Sequence, residues 1–350
     1  MPASVLSAYS PTSFLMPDLE ASISVLPERD TNPHHDEARS ESRLWINQFN
    51  KTVYGPKMRT FMDNCNLELI NSFCYPYANK DGLRATMDLH NILWLYDEFT
   101  DTESGKDAHR SASVAQQALC DPEFNDGSWL CLMMKDFKTK HIDRAGPDAA
   151  RRFIEHFCSY VKVVGKEAEL REENKILDIQ DYITLRRETS AVRTCFDLVE
   201  YCLGINLPQD VHEDPVFIGG YNAAMDLIYW ANDLYSYNME QAKGHSGANV
   251  ITVIMKNKHL ELQAAADFLG GYFESLIYQW KTAREVLALR SSEKYTNAVT
   301  VLDAYGDWVR GNVLWSFTTE RYFGTQNTEI RKTRCVGLRL PFEESVNLTE

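Results

Sequence analysis

Two clusters of oxygen-bearing side chains interrupt otherwise apolar helical stretches. The first is Asp97-Glu98-Phe99-Thr100-Asp101, and the second runs from Asn232-Asp233 through Ser236 to Glu240. Carboxylate, amide and hydroxyl oxygens are hard ligands, better suited to Mg²⁺ than to zinc or copper. Asp97 and Asp101 are one helical turn apart and share a face, and Asn232, Ser236 and Glu240 repeat that spacing over two turns. Acidic groups at the C-terminal end of a helix oppose its macrodipole, a destabilisation that a bound cation removes. Taken singly, the first cluster reads more simply as a solvated acidic helix end, whereas the second favours a cation site over a polar stripe facing solvent. Two such sets facing one helical cavity would hold several Mg²⁺ ions, and several Mg²⁺ ions in one cavity point to a substrate that carries a diphosphate.

Residues able to grip that anion stand on neighbouring stretches. Arg186 lies in Leu185-Arg186-Arg187-Glu188-Thr189-Ser190, and Arg321-Tyr322 closes the last long helical stretch. Arginine forks onto phosphate oxygens, and tyrosine adds a hydroxyl donor. Tyr305, Trp308, Asn312, Trp315, Thr319 and Tyr322 recur at three and four and form one face. Such a stripe is more often core than pocket, but here it runs towards Arg321-Tyr322, which suits a pocket wall. Leu93, Trp94 and His90 precede Asp97 on its helix, with Phe73 on an earlier one.

These residues need helices to position them. Apolar spacing of three and four runs through 58–75, 83–100, 110–120, 150–168, 178–205, 216–242, 247–256, 260–290 and 294–320, predicting helices there. Asp121-Pro122, Gly146-Pro147, Leu207-Pro208, Asp214-Pro215 and Gly244 punctuate them. Strand alternation is nearly absent. Residues 1–35 carry no sustained period and read as a loose N-terminal segment with an apolar anchor at Phe14-Leu15-Met16-Pro17. Residues 36–325 form the expected all-α domain, and 326–350 read as a C-terminal tail.

Composition narrows the class. The 350-residue chain is 44% hydrophobic and 25% charged, ordinary for a soluble globular protein. Its net charge of -14 argues against nucleic acid as a partner. An acidic chain that takes an anionic substrate needs metal ions and a few placed cations, in line with the motifs. The eight cysteines form no CxxC pair and read as reduced thiols. The N-terminus shows no basic segment followed by an apolar one, and no apolar run approaches the ~20 residues that span a bilayer. These readings predict a cytoplasmic protein without stable membrane insertion.

On these motifs the chain resembles the class I terpene cyclases, in particular the fungal, basidiomycete-type sesquiterpene synthases, over roughly residues 60–325. Asp97-Glu98-Phe99-Thr100-Asp101 matches the D(D/E)xxD motif, and Asn232-Asp233, Ser236 and Glu240 complete NDxxSxxxE. Arg186 falls at the family's diphosphate-sensing arginine, with Thr189 and Ser190 at its linker and effector positions. Arg321-Tyr322 matches the terminal Arg-Tyr pair. The chain departs in three places. Met239 stands where many relatives have a diphosphate-binding Lys, which Lys243 would replace one turn on. Glu98 stands for the second Asp, and Ser190 for a frequent Gly, which alters the backbone freedom of a helix break expected there.

The resemblance implies a single-domain class I terpenoid synthase helical bundle around a central cavity. It implies three Mg²⁺ ions, with Mn²⁺ as a substitute: Asp97 with Glu98 or Asp101 on one side, and Asn232, Ser236 and Glu240 on the other. Arg186, Asn232, Lys243, Arg321 and Tyr322 would hold the diphosphate. Phe73, Leu93, Trp94, Thr189, Ser190 and Trp315 would shape the pocket. The implied substrate is farnesyl diphosphate and the product a cyclic sesquiterpene, made by a monomer or homodimer. Three rivals are a same-family synthase that releases nerolidol or linalool, a chain-elongating prenyltransferase and a non-catalytic helical scaffold. The prenyltransferase would need a second Asp-rich motif where this chain has NDxxSxxxE.

Overall fold

The predicted breakers fall at helix ends in the computed structural model, which describes residues 12–49, 60, 63–100, 103, 105–173, 175–244 and 246–340. The described elements begin with β1 (Ser13–Leu15), α1 (Leu19–Ser22), α2 (His35–Ile46), α3 (Leu67–Cys74) and α4 (Lys80–Thr100). Next come α5 (Gly105–Cys120), α6 (Trp129–Lys140), α7 (Pro147–Glu172), α8 (Ile179–Thr189) and α9 (Val192–Leu203). The chain continues through α10 (Gln209–His212), α11 (Pro215–Lys243), α12 (Val250–Lys258), α13 (Leu262–Ala288), α14 (Glu293–Thr318), α15 (Asn327–Thr333) and β2 (Cys335–Gly337). The all-α expectation holds, with one small ladder between β1 and β2.

The long central helix α11 shows how local chemistry sets the ends. Asp214 caps it by accepting from the Val216 amide, Pro215 sits in its first turn, and Gly244 ends it at φ +77°. Between them α11 is buried nearly all round, because it packs against both α13 and α14. Helices α4, α7, α8, α9, α11 and α14 enclose a cavity, with α3 leaning on α14. That last approach is close. A Cβ on Gly311 would come within 2.8 Å of the Cys74 amide nitrogen, so only glycine fits.

Four details differ from the sequence reading. Helix α2 went unseen because its buried stripe is thin: Ala38, Ser42, Trp45 and Ile46. Helix α6 opens on an unbroken apolar run, Trp129–Met134, which has no helical period to detect. The stretch 178–205 is two helices. It breaks at Ser190-Ala191 with neither Gly nor Pro, and Ala191 takes φ +59°.

The fourth concerns the chain ends. Residues 12–26, read as part of a loose segment, are docked. Phe14 and Met16 are buried, which fulfils the apolar anchor, and Leu19, Ile23 and Leu26 join them. Phe14 pairs with Val336 in the ladder and meets the Tyr237 ring edge-on at 6.0 Å. On α11, Asn238 donates to the Gly337 carbonyl at 2.9 Å and accepts from the Arg339 amide at 2.8 Å. The chain after residue 326 is therefore pinned to the central helix as far as Arg339. All eight cysteines are free, and five are buried. Among the described residues no helix is long and apolar enough to cross a membrane.

Candidate active site

Asn232, Ser236 and Glu240 project from one face of α11 into a cavity of about 270 Å³. Asn232 is held at both ends of its amide. Its Oδ1 accepts from Arg186 Nη2 at 3.0 Å, and its Nδ2 donates to the Tyr322 hydroxyl at 2.7 Å. Ser236 Oγ makes long contacts, 3.4 Å to the Asp233 carbonyl and 3.5 Å from Asn249 Nδ2, and its hydroxyl also bonds to the Glu240 carboxylate. Its lone pairs remain available to a further partner. Glu240 accepts from Asn249 Nδ2 at 2.9 Å. Burial, aided by the charge of Asp233, pushes the Glu240 carboxyl up to about 7. This is a group short of positive charge, set among oxygen donors.

Asp233 is the hub the sequence reading left without a role. It is 2% exposed and takes Arg186 through both Nε, at 3.1 Å, and Nη2, at 2.9 Å. Its other oxygen accepts from the Tyr182 hydroxyl and from the Val250 amide. Burial alone would favour the neutral form of Arg186; the Asp233 carboxylate outweighs it and holds the guanidinium well above its usual range. Arg186 is thus locked to α11, with Nη1 outside that pairing. Asn249 was also missed. It caps α12 through Ile251 while its amide joins the Asp233 carbonyl to Glu240. The cue lay in an Asn directly before the largely apolar stretch Val250–Ile254.

The opposite wall comes from α4. Leu93, Trp94 and Asp97 line the cavity. Arg321 lays its guanidinium 4.0 Å above the centre of the Trp94 ring and lies 3.8 Å from Glu98. Glu98, expected as a metal ligand, therefore pairs with Arg321 and is not part of the cavity wall, because it points round the helix from Asp97. Asp101 lies outside the described residues. Tyr322 is buried, stands edge-on to Trp315 at 5.9 Å, and burial raises its hydroxyl to about 12.

Thr189, Ser190 and Trp315 line the cavity as expected. Two other expectations fail. Lys243 ends α11 exposed and does not reach the cavity. Phe73 is half-buried at the edge of the core, and Ile70, one turn earlier on α3, takes its place in the wall. Ser190 keeps an ordinary φ of -68°, so the backbone constraint anticipated there falls on Ala191, where a left-handed alanine costs about 1–2 kcal/mol. The aromatic stripe divides. Trp308, Asn312, Trp315 and Tyr322 face the cavity, whereas Tyr305 stacks on Phe196 at 4.0 Å within the core. His90 and Glu167 also line the cavity, although neither had been assigned a place in its wall.

The site can hold a hard cation on each of two walls, with guanidinium groups between them and an apolar, aromatic chamber below. Among the described residues no three His, Cys, Asp or Glu side chains gather as a metal site. The donors are instead a mixture of carboxylate, amide and hydroxyl, which suits a hard cation such as Mg²⁺ better than zinc.

Comparison with known proteins agrees with this geometry. Residues 88–279 match the family model described as terpene synthase family 2, C-terminal metal binding. The chain is 60% identical to sesquiterpene synthase Agr5 of Cyclocybe aegerita over 98% of its own length and 80% of that protein's. It is 53% identical to viridiflorene synthase Agr2 of the same fungus, covering 94% of this chain and 87% of that one. In fold it is similar to a hedycaryol synthase in complex with HEPES, at a TM-score of 0.75 and 21% identity, over 86% of this chain and 98% of that one.

Proposed function

The chain belongs to the terpene synthase family and is a lyase of that family, and we propose that it ionises farnesyl diphosphate with bound Mg²⁺ and cyclises the cation to a cyclic sesquiterpene. One observation carries this reading: Asp97 and the Asn232–Ser236–Glu240 set line the same cavity from different helices, and the rest of its wall is largely apolar and aromatic. On this reading residues 36–325 are the catalytic domain, acting in the cytoplasm as a monomer or homodimer.

Asp97 would hold metal on one wall, and Asn232, Ser236 and Glu240 on the other, for three Mg²⁺ ions. Bound Mg²⁺ supplies positive charge to the departing diphosphate. Arg186 Nη1 and Arg321 offer guanidinium N–H groups to the same anion, and the Tyr322 hydroxyl, oriented by Asn232, adds a donor. Asp233 fixes Arg186 in place, so that its charge is already positioned when negative charge develops. Below, Leu93, Trp94, Ile228, Trp308 and Trp315 shut water away from the allyl cation, and the aromatic faces stabilise it by about 0.5–2 kcal/mol each.

The raised Glu240 carboxyl gives a pH test. Its folded value, about 7, lies above its unfolded one. Between roughly pH 4.5 and 7 the folded chain therefore binds more protons, and the metal-free protein loses stability as pH rises. Mg²⁺ takes only the carboxylate, so binding expels that proton and weakens by up to about tenfold per pH unit below the folded value. Thermal unfolding in the presence of diphosphate should show a larger Mg²⁺-induced rise in Tm at pH 8 than at pH 6. Equal rises would mean that Glu240 is not a ligand.

Chain length is the direct test of the substrate. Geranyl, farnesyl and geranylgeranyl diphosphates, each supplied with Mg²⁺, should give a C15 cyclic volatile as the dominant product. Dominant C10 or C20 products, or linear alcohols alone, would overturn the reading.

A further inference from the structure

The carboxylates in the cavity wall are Asp97, Glu167 and Glu240. Asp97 and Glu240 belong to the metal-binding end, and Glu167 acts on Arg186 there. Below them the wall is Ile70, Val192, Cys195, Ile228, Trp308 and Asn312, with one nitrogen base among the described lining residues, His90.

His90 shares its helix face with Trp94 and Asp97, seven residues before the latter, which places it about 10 Å deeper along α4. Its ring stacks on Trp308 at 5.5 Å with an 18° tilt. Among the described residues Nδ1 meets no partner in hydrogen-bonding geometry. The backbone of Thr86, one turn earlier, favours the charged ring, but burial outweighs it and holds the imidazole down at about 4. At neutral pH the side chain is therefore an uncharged base facing the hydrocarbon chamber. A buried nitrogen without a hydrogen-bond partner destabilises the fold. The packing explains the ring, since Trp308 covers one face of it, but does not explain the nitrogen.

We propose that His90 is a catalytic residue for the last step, the base that removes a proton from the terminal carbocation and so ends the cascade as an olefin. The inference rests on the reading above, in which the chamber receives a C15 cation. A C–H bond on the carbon beside the cationic centre breaks. Its electron pair becomes the new double bond, and the proton passes to the unprotonated imidazole nitrogen. The imidazolium is stabilised against the Trp308 face while the chamber is closed. When the product leaves, burial and access to water return the proton to solvent, and the base is restored. The diphosphate oxygens remain at the metal end, roughly two helical turns away, and are not needed for this proton.

The test measures products and diphosphate release together in His90→Phe and His90→Ala, with farnesyl diphosphate and Mg²⁺. His90→Phe keeps an aromatic ring on Trp308 and removes the base. It should release diphosphate at close to the wild-type rate, while the share of the wild-type olefin falls by about tenfold or more and water-quenched alcohols or earlier olefins replace it. His90→Ala should behave likewise, and added imidazole should restore the wild-type olefin where pyrrole, a ring of similar size without a basic nitrogen, does not. A wild-type product profile in His90→Phe overturns the proposal. Equal rescue by pyrrole and imidazole, or rescue by neither, overturns it too, because the side chain then acts through shape. Absence of diphosphate release from the wild-type enzyme would instead sink the substrate assignment, so the two failures are told apart.

Discussion

Arg186→Ala is expected to lower stability by about 3–5 kcal/mol and to abolish diphosphate release. The guanidinium is the charge partner of Asp233, itself 2% exposed, and bonds it through two nitrogens. Without it the carboxylate keeps, among the described residues, the Tyr182 hydroxyl and the Val250 amide, and its repulsion of Glu240 loses the offsetting charge of Arg186. A buried charge stripped of its partner carries its desolvation uncompensated. Arg186→Lys separates the two roles. It retains a charge near Asp233 but not the planar fork, so most stability should return while turnover stays low. Denaturant unfolding gives the first quantity and diphosphate release the second. An Arg186→Ala protein with wild-type midpoint and rate would contradict both roles.

Glu240→Gln should remove turnover by at least about a hundredfold, yet raise the Tm of the metal-free protein at pH 8. The two effects have opposite signs for one reason. Buried near Asp233, the Glu240 carboxylate destabilises the metal-free fold, and the amide relieves that repulsion without changing shape. The same amide leaves a metal one charge short. Asn232→Ala should match the loss of turnover but not the gain in stability, because Asn232 also ties Tyr322 and Arg186 together. Near-normal rates in either variant would reduce the triad to a polar stripe. A fall in the metal-free Tm of Glu240→Gln would mean that its carboxylate is stabilised by something other than a cation.

The ligand set was legible because its spacing, Asn232, Ser236 and Glu240, is a property of one helix. The partners of those ligands were not, because they arrive from elsewhere in the chain. Asp233 lies between two recognised positions, and its role becomes visible only once α8 brings Arg186 and Tyr182 to it. Lys243 looked suitable by offset alone. Lys243 is the last residue of α11, and the structure leaves it exposed and outside the cavity lining. Phe73 failed for a similar reason: α3 turns Ile70 inward and leaves Phe73 at the edge. The fold was read well where amphipathic period was strong and poorly at its extremes. Helix α2 buries too few apolar residues to show a stripe, and the opening of α6 is too uniformly apolar to show one. The break showed only through the family resemblance, which put it at Ser190, one residue before Ala191; no local pattern marks it, because alanine is a strong helix former. The docking of Phe14 depends on strand pairing with Val336, more than three hundred residues away, which no local pattern reports.

The central claim is that the two walls act together through divalent metal to ionise a C15 diphosphate. The measurement is the rate of diphosphate release from farnesyl diphosphate in Mg²⁺ and in excess chelator, with volatile products collected from the same samples. Release and a cyclic C15 product should appear together with Mg²⁺ and vanish together in chelator. Release that persists in chelator, or that proceeds in Mg²⁺ without any C15 hydrocarbon or alcohol, would contradict the account.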